Sequence, residues 1–371
     1  MIISDISEGF DVIIGVDTSK NSFYCCTITK VKGDQGKIKK LSRSKFERMA
    51  AETGSKTLIF MEACSGSNHW YRAFTAAGAT VKLIAPQHVK KYLPNRRVKN
   101  DANDARAILE CGLSAATHFV KPKTQDQQDL AILHTLRRTT ISDRVGLSNR
   151  IRGLLTEYNV ICARGRAAFE NELPELMEKC ESLCNQTVVK HLKSLFAEYY
   201  RLRDKEKELD EDIRRLAQKD PLVDIAMSCH GVGEVTASAL VAEIGDASAF
   251  TRGKELAANY GLVPSQHSTG GRERTGSITK TGSVYIRSLM VQCANSIALY
   301  AKKRLDEGKD DQFDRYILRL MSRMSRAKAI VALANKLLRT LWAMLRSRKK
   351  FEPKSADPEK ESPISDAACL L

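Results

Sequence analysis

The sequence contains no run of about 18 uncharged apolar residues, the length a membrane-spanning helix needs. Its opening, MIISDISEGFDVIIGVD, places acids where a secretory leader needs basic and then apolar residues. It has no C-x-x-C, no paired Cys/His spacing of a zinc site and no H-E-x-x-H. Its ten cysteines are scattered, several within apolar runs, and read as small buried hydrophobes in a reducing cytoplasm. The first 120 residues hold neither G-x-G-x-x-G nor G-x-x-x-x-G-K-[ST], and no segment repeats. These absences argue against a membrane protein, a secreted disulfide scaffold, a zinc enzyme and an ATP-binding P-loop protein.

What the chain does have is positive charge. Among 371 residues, 60 Lys and Arg face 44 Asp and Glu, for a net +16 and a pI near 9.4. That balance points to a polyanionic partner, nucleic acid or an anionic surface. The excess is concentrated: residues 251–350 carry 21 basic and 7 acidic side chains. The last 20 residues hold five acids, two lysines and three prolines, the composition of a disordered tail.

The length predicts two or three domains, and the patterning divides the chain. Val12, Ile13, Ile14 and Val16 form an apolar strand ending in Asp17, and Phe23–Ile28 reads as its hairpin partner. A helix is expected over 43–52, a buried strand over Thr57–Met61 ending at Glu62, and a helix over Asn68–Ala77 closed by Gly78. A further strand, Val81–Ala85, is stopped by Pro86, and an acid-led helix follows over 101–113. Alternating strands and helices predict an α/β domain over residues 1–125. Residues 126–220 lose the strand signal. Apolar residues there recur at helical spacing beneath a charged face, predicting long paired helices of coiled-coil type, with the turn around 160–170 and Pro174. Residues 221–350 read as a mostly helical unit with a Gly-rich, strand-poor insert at 261–283, and 351–371 as the tail.

Two strand ends and one helix carry acids that can converge. Asp17 and Glu62 close apolar strands, and Asp101 and Asp104, three apart on a helix, share one face. Such a cluster repels itself unless a cation offsets the charge. Mg²⁺ or Mn²⁺ held by carboxylates is a recurrent device for attacking phosphodiesters. Each acid also has a plain reading: Asp17 as a turn cap, Glu62 as the partner of a lysine, Asp101 as a helix N-cap. Gly15-Val16-Asp17-Thr18-Ser19 also resembles the phosphate hairpin of actin-like ATPases, but the further glycine loops of those proteins are missing.

In the C-terminal unit, His230-Gly231-Val232-Gly233-Glu234 ahead of an apolar helix reads as a helix–hairpin–helix, or as an ordinary tight turn. Gly231 and Gly233 would let backbone amides meet a DNA phosphate. Next come Pro264-Ser265-Gln266-His267-Ser268-Thr269-Gly270-Gly271 and Ile278-Thr279-Lys280-Thr281-Gly282-Ser283. Small hydroxyl residues beside two glycines admit a DNA strand, and Arg272, Arg274, Lys280 and Arg287 could stabilise a phosphate under attack. The alternative is a flexible basic loop that only binds phosphate.

The segments GVDTSK (15–20), MEACSGS (61–67), KNDANDA (99–105), GVGEVTASALVAEIGD (231–246), GLVPSQHSTGG (261–271) and ITKTGSVYIR (278–287) resemble, in order and spacing, the DEDD-type transposases of insertion sequences. The likeness is to the one-ten group and its eleven-eleven branch, and covers about residues 11–345. It implies an RNase H/RuvC-like first domain, a coiled-coil middle and a C-terminal transposase domain. It implies metal binding by Asp17, Glu62, Asp101 and Asp104, and a nucleophilic serine that becomes covalently joined to DNA. Counting back from Lys280 places that serine at Ser268; counting forward from Pro264 places it at Thr269. The resemblance further implies a guide RNA, a homo-oligomer from dimer to tetramer, and a prokaryotic cytoplasm at the nucleoid. Two rival readings stand beside it: a metal-dependent Holliday-junction-type nuclease using water, and a non-catalytic nucleic-acid-binding protein.

Overall fold

A computed structural model describes residues 5–30, 34–93, 100–266 and 275–353. Tertiary contacts divide the chain into two units, Met1–Thr124 and Gln125–Leu371.

The first unit is a six-stranded mixed sheet with helices on both faces. Strands β1 (Val12–Thr18), β2 (Ser22–Thr29) and β3 (Asp34–Ser42) form an antiparallel meander. Helix α1 (Arg43–Glu52) follows, then β4 (Thr57–Glu62), α2 (Ser67–Ala76) and β5 (Thr80–Ile84). A short α3 (Pro86–Val89), α4 (Asp101–Leu113) and a two-residue β6 (Phe119–Val120) complete the unit. The order is β3-β2-β1-β4-β5-β6, with β1, β4 and β5 parallel. Alternation along each strand sorts side chains between two cores. Ile14, Val16, Phe23, Ile59 and Met61 pack with Phe46, Trp70 and Phe74 of α1 and α2. Ile13, Leu58 and Phe60 pack on the opposite face with Ala105, Ile108 and Leu109 of α4.

β3 is the element that periodicity passes over. It is an edge strand in which Lys37, Lys39 and Lys40 break the apolar alternation. Lysines on an edge discourage pairing with a foreign strand while hiding the strand pattern.

The second unit begins with two 32-residue helices, α5 (Gln125–Thr156) and α7 (Gln186–Ala217), flanking α6 (Arg166–Leu183). α5 and α7 run antiparallel: Arg137 meets Asp210, whereas Arg144, further along, meets Glu206 and Tyr199. Buried positions on α7 recur every three or four residues (Val189, Leu192, Phe196, Tyr199, Leu202, Glu206, Leu209, Ile213). Pro174 does not mark the turn; it lies inside α6, and the chain reverses at 157–165 instead. Where α5, α6 and α7 meet, Arg144 and Glu206 pair at 2.8 Å, both nearly buried. Arg166 joins Glu206 at 3.0 Å, and the Tyr199 hydroxyl donates to Glu170 at 2.9 Å. Each buried charge is thus matched, as burial requires.

The remainder is helical around one large core: α8 (Pro221–Met227), α9 (Glu234–Ile244), α10 (Gly253–Asn259), α11 (Val284–Asp306), α12 (Gln312–Met321) and α13 (Arg326–Ser347). The insert expected to lack strands contains a small antiparallel hairpin, β7 (Pro264–Gln266) and β8 (Thr275–Ile278). The expected disordered tail lies, from residue 354 on, outside the described residues.

Candidate active site

The acid site follows from strand parity and one glycine. Asp17 lies two and four residues beyond Gly15 and Ile13, so it faces α4; Glu62 shares the parity of Leu58 and Phe60 and faces the same way. Val16 registers with Met61 across the parallel β1–β4 pair, so the two acids stand at adjacent strand ends. α4 can lie on this face because position 15 has no side chain. A Cβ there would meet the Ala105 oxygen and the Leu109 amide nitrogen at 2.6 Å. The N-cap of α4 is Asn100, whose side chain accepts from the Ala102 amide at 3.0 Å. Asp101 and Asp104 occupy the first turn, where the helix dipole favours negative charge. Capping is therefore not the role of Asp101.

Asp17, Asp101 and Asp104, each half-buried, bring one carboxylate oxygen apiece within 4.8 Å of one another. Glu62 stands beside this trio rather than in it. Its carboxyl is pushed above the ordinary glutamate range by burial first and then by the charge of Asp104, with Lys90 acting in the opposite sense. Half-buried carboxylate oxygens converging at this spacing are hard oxygen donors of the kind that can hold a divalent cation. Three further residues neighbour the site. Thr18 and Cys64 share a 3.1 Å hydrogen bond, and Lys90, just past α3, supplies the positive charge that Glu62 feels. Thr18 and Cys64 lie within the GVDTSK and MEACSGS segments, whereas Lys90 carries no such signal.

In the second unit the candidate contacts divide. Gly231 (φ +79°) is demanded by packing, since a Cβ would stand 2.5 Å from Ile297 Cγ1. Gly233 is the N-cap of α9 at φ −86°, and a Cβ there would meet nothing within 4 Å. The fold itself therefore asks for glycine at 231 but not at 233. His230, beside them, binds the Asp311 carboxylate through Nδ1 at 2.6 Å. Asp311 in turn forms a capping box with Asp314 at the start of α12. Arg287 is a brace: its Nη1 donates to the Tyr260 oxygen at 3.1 Å and the Thr281 oxygen at 2.7 Å. Lys280 is exposed, and its amide donates to the Gly261 oxygen at 3.2 Å. Ser268, Thr269, Arg272 and Arg274 lie outside the described residues. Gln266 and Thr275, paired across β7 and β8, flank that segment.

A carboxylate-centred α/β unit followed by a helical unit whose residues 251–350 are strongly basic is the make-up of a nucleic-acid-processing enzyme of the DEDD type. A family model described as Transposase IS116/IS110/IS902 family matches residues 223–308, and a second, described as Transposase, matches residues 14–160. The transposase for insertion sequence element IS1111A of Coxiella burnetii is 35% identical over 341 residues, 91% of each chain. The transposase for insertion sequence element IS1328 of Yersinia enterocolitica is 31% identical over 343 residues, covering 90% of this chain and 96% of the relative. A probable family 20 transposase of Pseudomonas aeruginosa is 35% identical over 297 residues, 80% of this chain and 86% of the relative. The chain belongs to the IS116/IS110/IS902 family of transposases. No helix among its described residues is long and apolar enough to cross a membrane.

Proposed function

We propose that this transposase cuts and rejoins DNA through a covalent phosphoserine link at Ser268, with Asp17, Glu62, Asp101 and Asp104 holding Mg²⁺ or Mn²⁺ beside the scissile phosphate. The convergence of Asp17, Asp101 and Asp104 is the observation that carries this reading. The meander β3-β2-β1 joined to parallel β4 and β5 supports an RNase H/RuvC-like first domain. The antiparallel α5–α7 pair supports a coiled-coil middle, and α8, its six-residue turn and α9 support a helix–hairpin–helix.

The ion, when bound, offsets negative charge on the phosphodiester. Ser268 Oγ attacks phosphorus, and a P–Oγ bond forms as the bond to the leaving deoxyribose oxygen breaks; the proton leaving Oγ passes through solvent to that oxygen, which departs as a hydroxyl. One phosphate ester replaces another, so rejoining to a new DNA end needs no ATP. Lys280 and the arginines at 272 and 274 would stabilise charge on the phosphate during transfer. The N-cap region of α9 at Gly233 would hold a backbone phosphate without reading sequence. The resemblance adds an element-encoded guide RNA and a dimer-to-tetramer assembly.

Covalent trapping tests the reading. The chain, purified with any bound RNA, is incubated with Mg²⁺ and DNA carrying the element's ends. It is then denatured and digested, and adducts are mapped by mass spectrometry. A nucleotide on Ser268 that vanishes in Ser268→Ala and Asp17→Asn is expected. An adduct on Thr269 would move the nucleophile by one residue. Cleaved DNA without an adduct would replace the serine mechanism with a water-using nuclease.

A further inference from the structure

We propose that Lys280 is delivered to a DNA phosphate by a rigid clasp at the root of the β7–β8 hairpin. Arg287 is the positioning residue of that clasp and does not itself touch nucleic acid. This deepens the phosphoryl-transfer reading above and rests on it for the phosphate that Lys280 meets.

The backbone singles Lys280 out. Its φ is +55°, in the left-handed region that any residue with a Cβ disfavours. Asn159, which shares this conformation, is of a type that tolerates it, and Arg348 takes it as the C-cap of α13. Lys280 ends no helix. Its neighbours Gly261 (φ +66°) and Gly282 (φ +67°) are glycines, and a glycine at 280 would adopt the same turn without strain. A lysine stands there instead, exposed and with no ion pair among the described residues. Strain kept at an exposed, unpaired cation points to a use for its side chain.

The surrounding contacts fix where that cation stands. The chain leaves α10 through Gly261 and enters α11 through Gly282, and the hairpin between them flanks residues 267–274, the stretch that holds Ser268. The two legs are pressed together at the root. A Cβ on Gly261 would stand 2.3 Å from the Thr281 nitrogen, and one on Gly282 2.0 Å from the Asn259 oxygen. The Thr279 amide donates to the Val263 oxygen at 2.9 Å, extending the pairing down to Lys280 and Gly261. The Thr281 hydroxyl donates to the Ala258 oxygen at 3.0 Å and ties the second leg to α10. Arg287, four residues into α11, reaches both legs at once, through the Tyr260 and Thr281 oxygens. Tyr260 is buried, so the clasp is anchored in the core, and Thr281 is the residue after Lys280. Nη1 of Arg287 is thus engaged by the protein's own backbone, while the lysine it braces faces solvent.

The test uses the full chain with any bound RNA and a duplex carrying the element's ends. Binding is read by fluorescence anisotropy from 50 to 300 mM salt, and strand cleavage at saturating DNA with Mg²⁺. Lys280→Gln is expected to lower the salt slope by about 0.9 and cleavage about 100-fold. Lys280→Gly is expected to match those losses with a urea midpoint equal to or above wild type, because the strain is gone. Arg287→Gln is expected to slow cleavage about 100-fold, and Arg287→Lys, which keeps a donor for the carbonyls, to recover most of that rate. The pair Lys280→Gln with Arg287→Gln decides the role of the arginine. If Arg287 acts through Lys280, the pair loses about 0.9 in slope and cleaves no more slowly than Lys280→Gln alone. A slope loss of about 1.8, or rate losses that multiply, would make Arg287 an independent contact and overturn the proposal. So would a Lys280→Gly chain that binds and cleaves as wild type does. The slopes need no chemistry, and the rate ratios do not depend on an adduct. A wild-type chain that cleaves without an adduct therefore removes Ser268 from the mechanism and leaves this assignment to its own variants.

Discussion

A methyl group at position 15 would stand 2.6 Å from the Ala105 carbonyl oxygen and from the Leu109 amide nitrogen and Cβ, so either β1 or α4 must move. α4 is what sets Asp101 and Asp104 over Asp17, and displacements of about 1 Å in such sites cost on the order of 100-fold in rate. Gly15→Ala is therefore expected to lower metal-dependent DNA cleavage about 100-fold while costing the fold about 1–3 kcal/mol, the usual range for overpacking. Cleavage under excess Mg²⁺ and urea denaturation, measured side by side, check this. Gly54→Ala, where a Cβ meets nothing within 4 Å, serves as the control and leaves both unchanged. Equal cleavage by Gly15→Ala and wild type would show that α4 placement does not govern the acid site.

At the scale of elements, α5 is tied to α9 and α11 by a buried polar contact rather than by apolar packing alone. His134, 4% exposed, places Nε2 3.0 Å from the Ser238 hydroxyl and Nδ1 3.1 Å from the Tyr285 hydroxyl. Burial first, then the Arg137 charge, lowers its pKa from 6.5 to about 4, with Asp210 opposing. In the unfolded chain this histidine takes up a proton below its ordinary pKa; in the folded chain it resists until about pH 4. Stability therefore falls as pH drops through the window from about 6.5 to 4 and is flat in this term above it, with a full span of roughly 3 kcal/mol. His134→Gln is expected to be less stable at pH 7.5 but to lose less stability between pH 7.5 and 5, read from urea midpoints at both pH values. A parallel loss in both proteins would remove His134 from the acid sensitivity. Such contacts also explain what the sequence could reveal. The long helices of α5 and α7 were legible because apolar residues recur every three or four positions. The acids were legible because they end apolar strands and open a helix. His134, Arg144 and Glu206 were not, because a polar residue on a helix reads as surface until a second helix covers it. β3 was hidden by its lysines, and Pro174 was misread because a helix absorbed a residue that more often ends one.

Across the whole molecule, charge is distributed unevenly along the chain. Residues 1–124 hold 20 basic and 11 acidic side chains, residues 125–250 hold 17 and 21, and residues 251–350 hold 21 and 7. The stretch that contains α5–α7 is thus slightly acidic, and its surface cations are largely paired, as Lys205 with Glu208 and Lys207 with Asp204. At the end of α13, Arg346, Arg348 and Lys349 are exposed and carry like charge. A protein that neutralises phosphates releases counterions, and log affinity falls with log salt by about 0.9 for each contact. If α13 faces DNA, Arg346→Gln with Lys349→Gln lowers that slope by about two, whereas Lys205→Gln with Lys207→Gln leaves it unchanged. Binding of the full chain to a random-sequence duplex, measured by fluorescence anisotropy from 50 to 300 mM salt, reads both slopes. The comparison separates a local contact from the bulk field, because each pair removes the same two charges from the same net +16. Equal slopes for the two variants would mean that the net charge alone draws the DNA and that the end of α13 touches none of it.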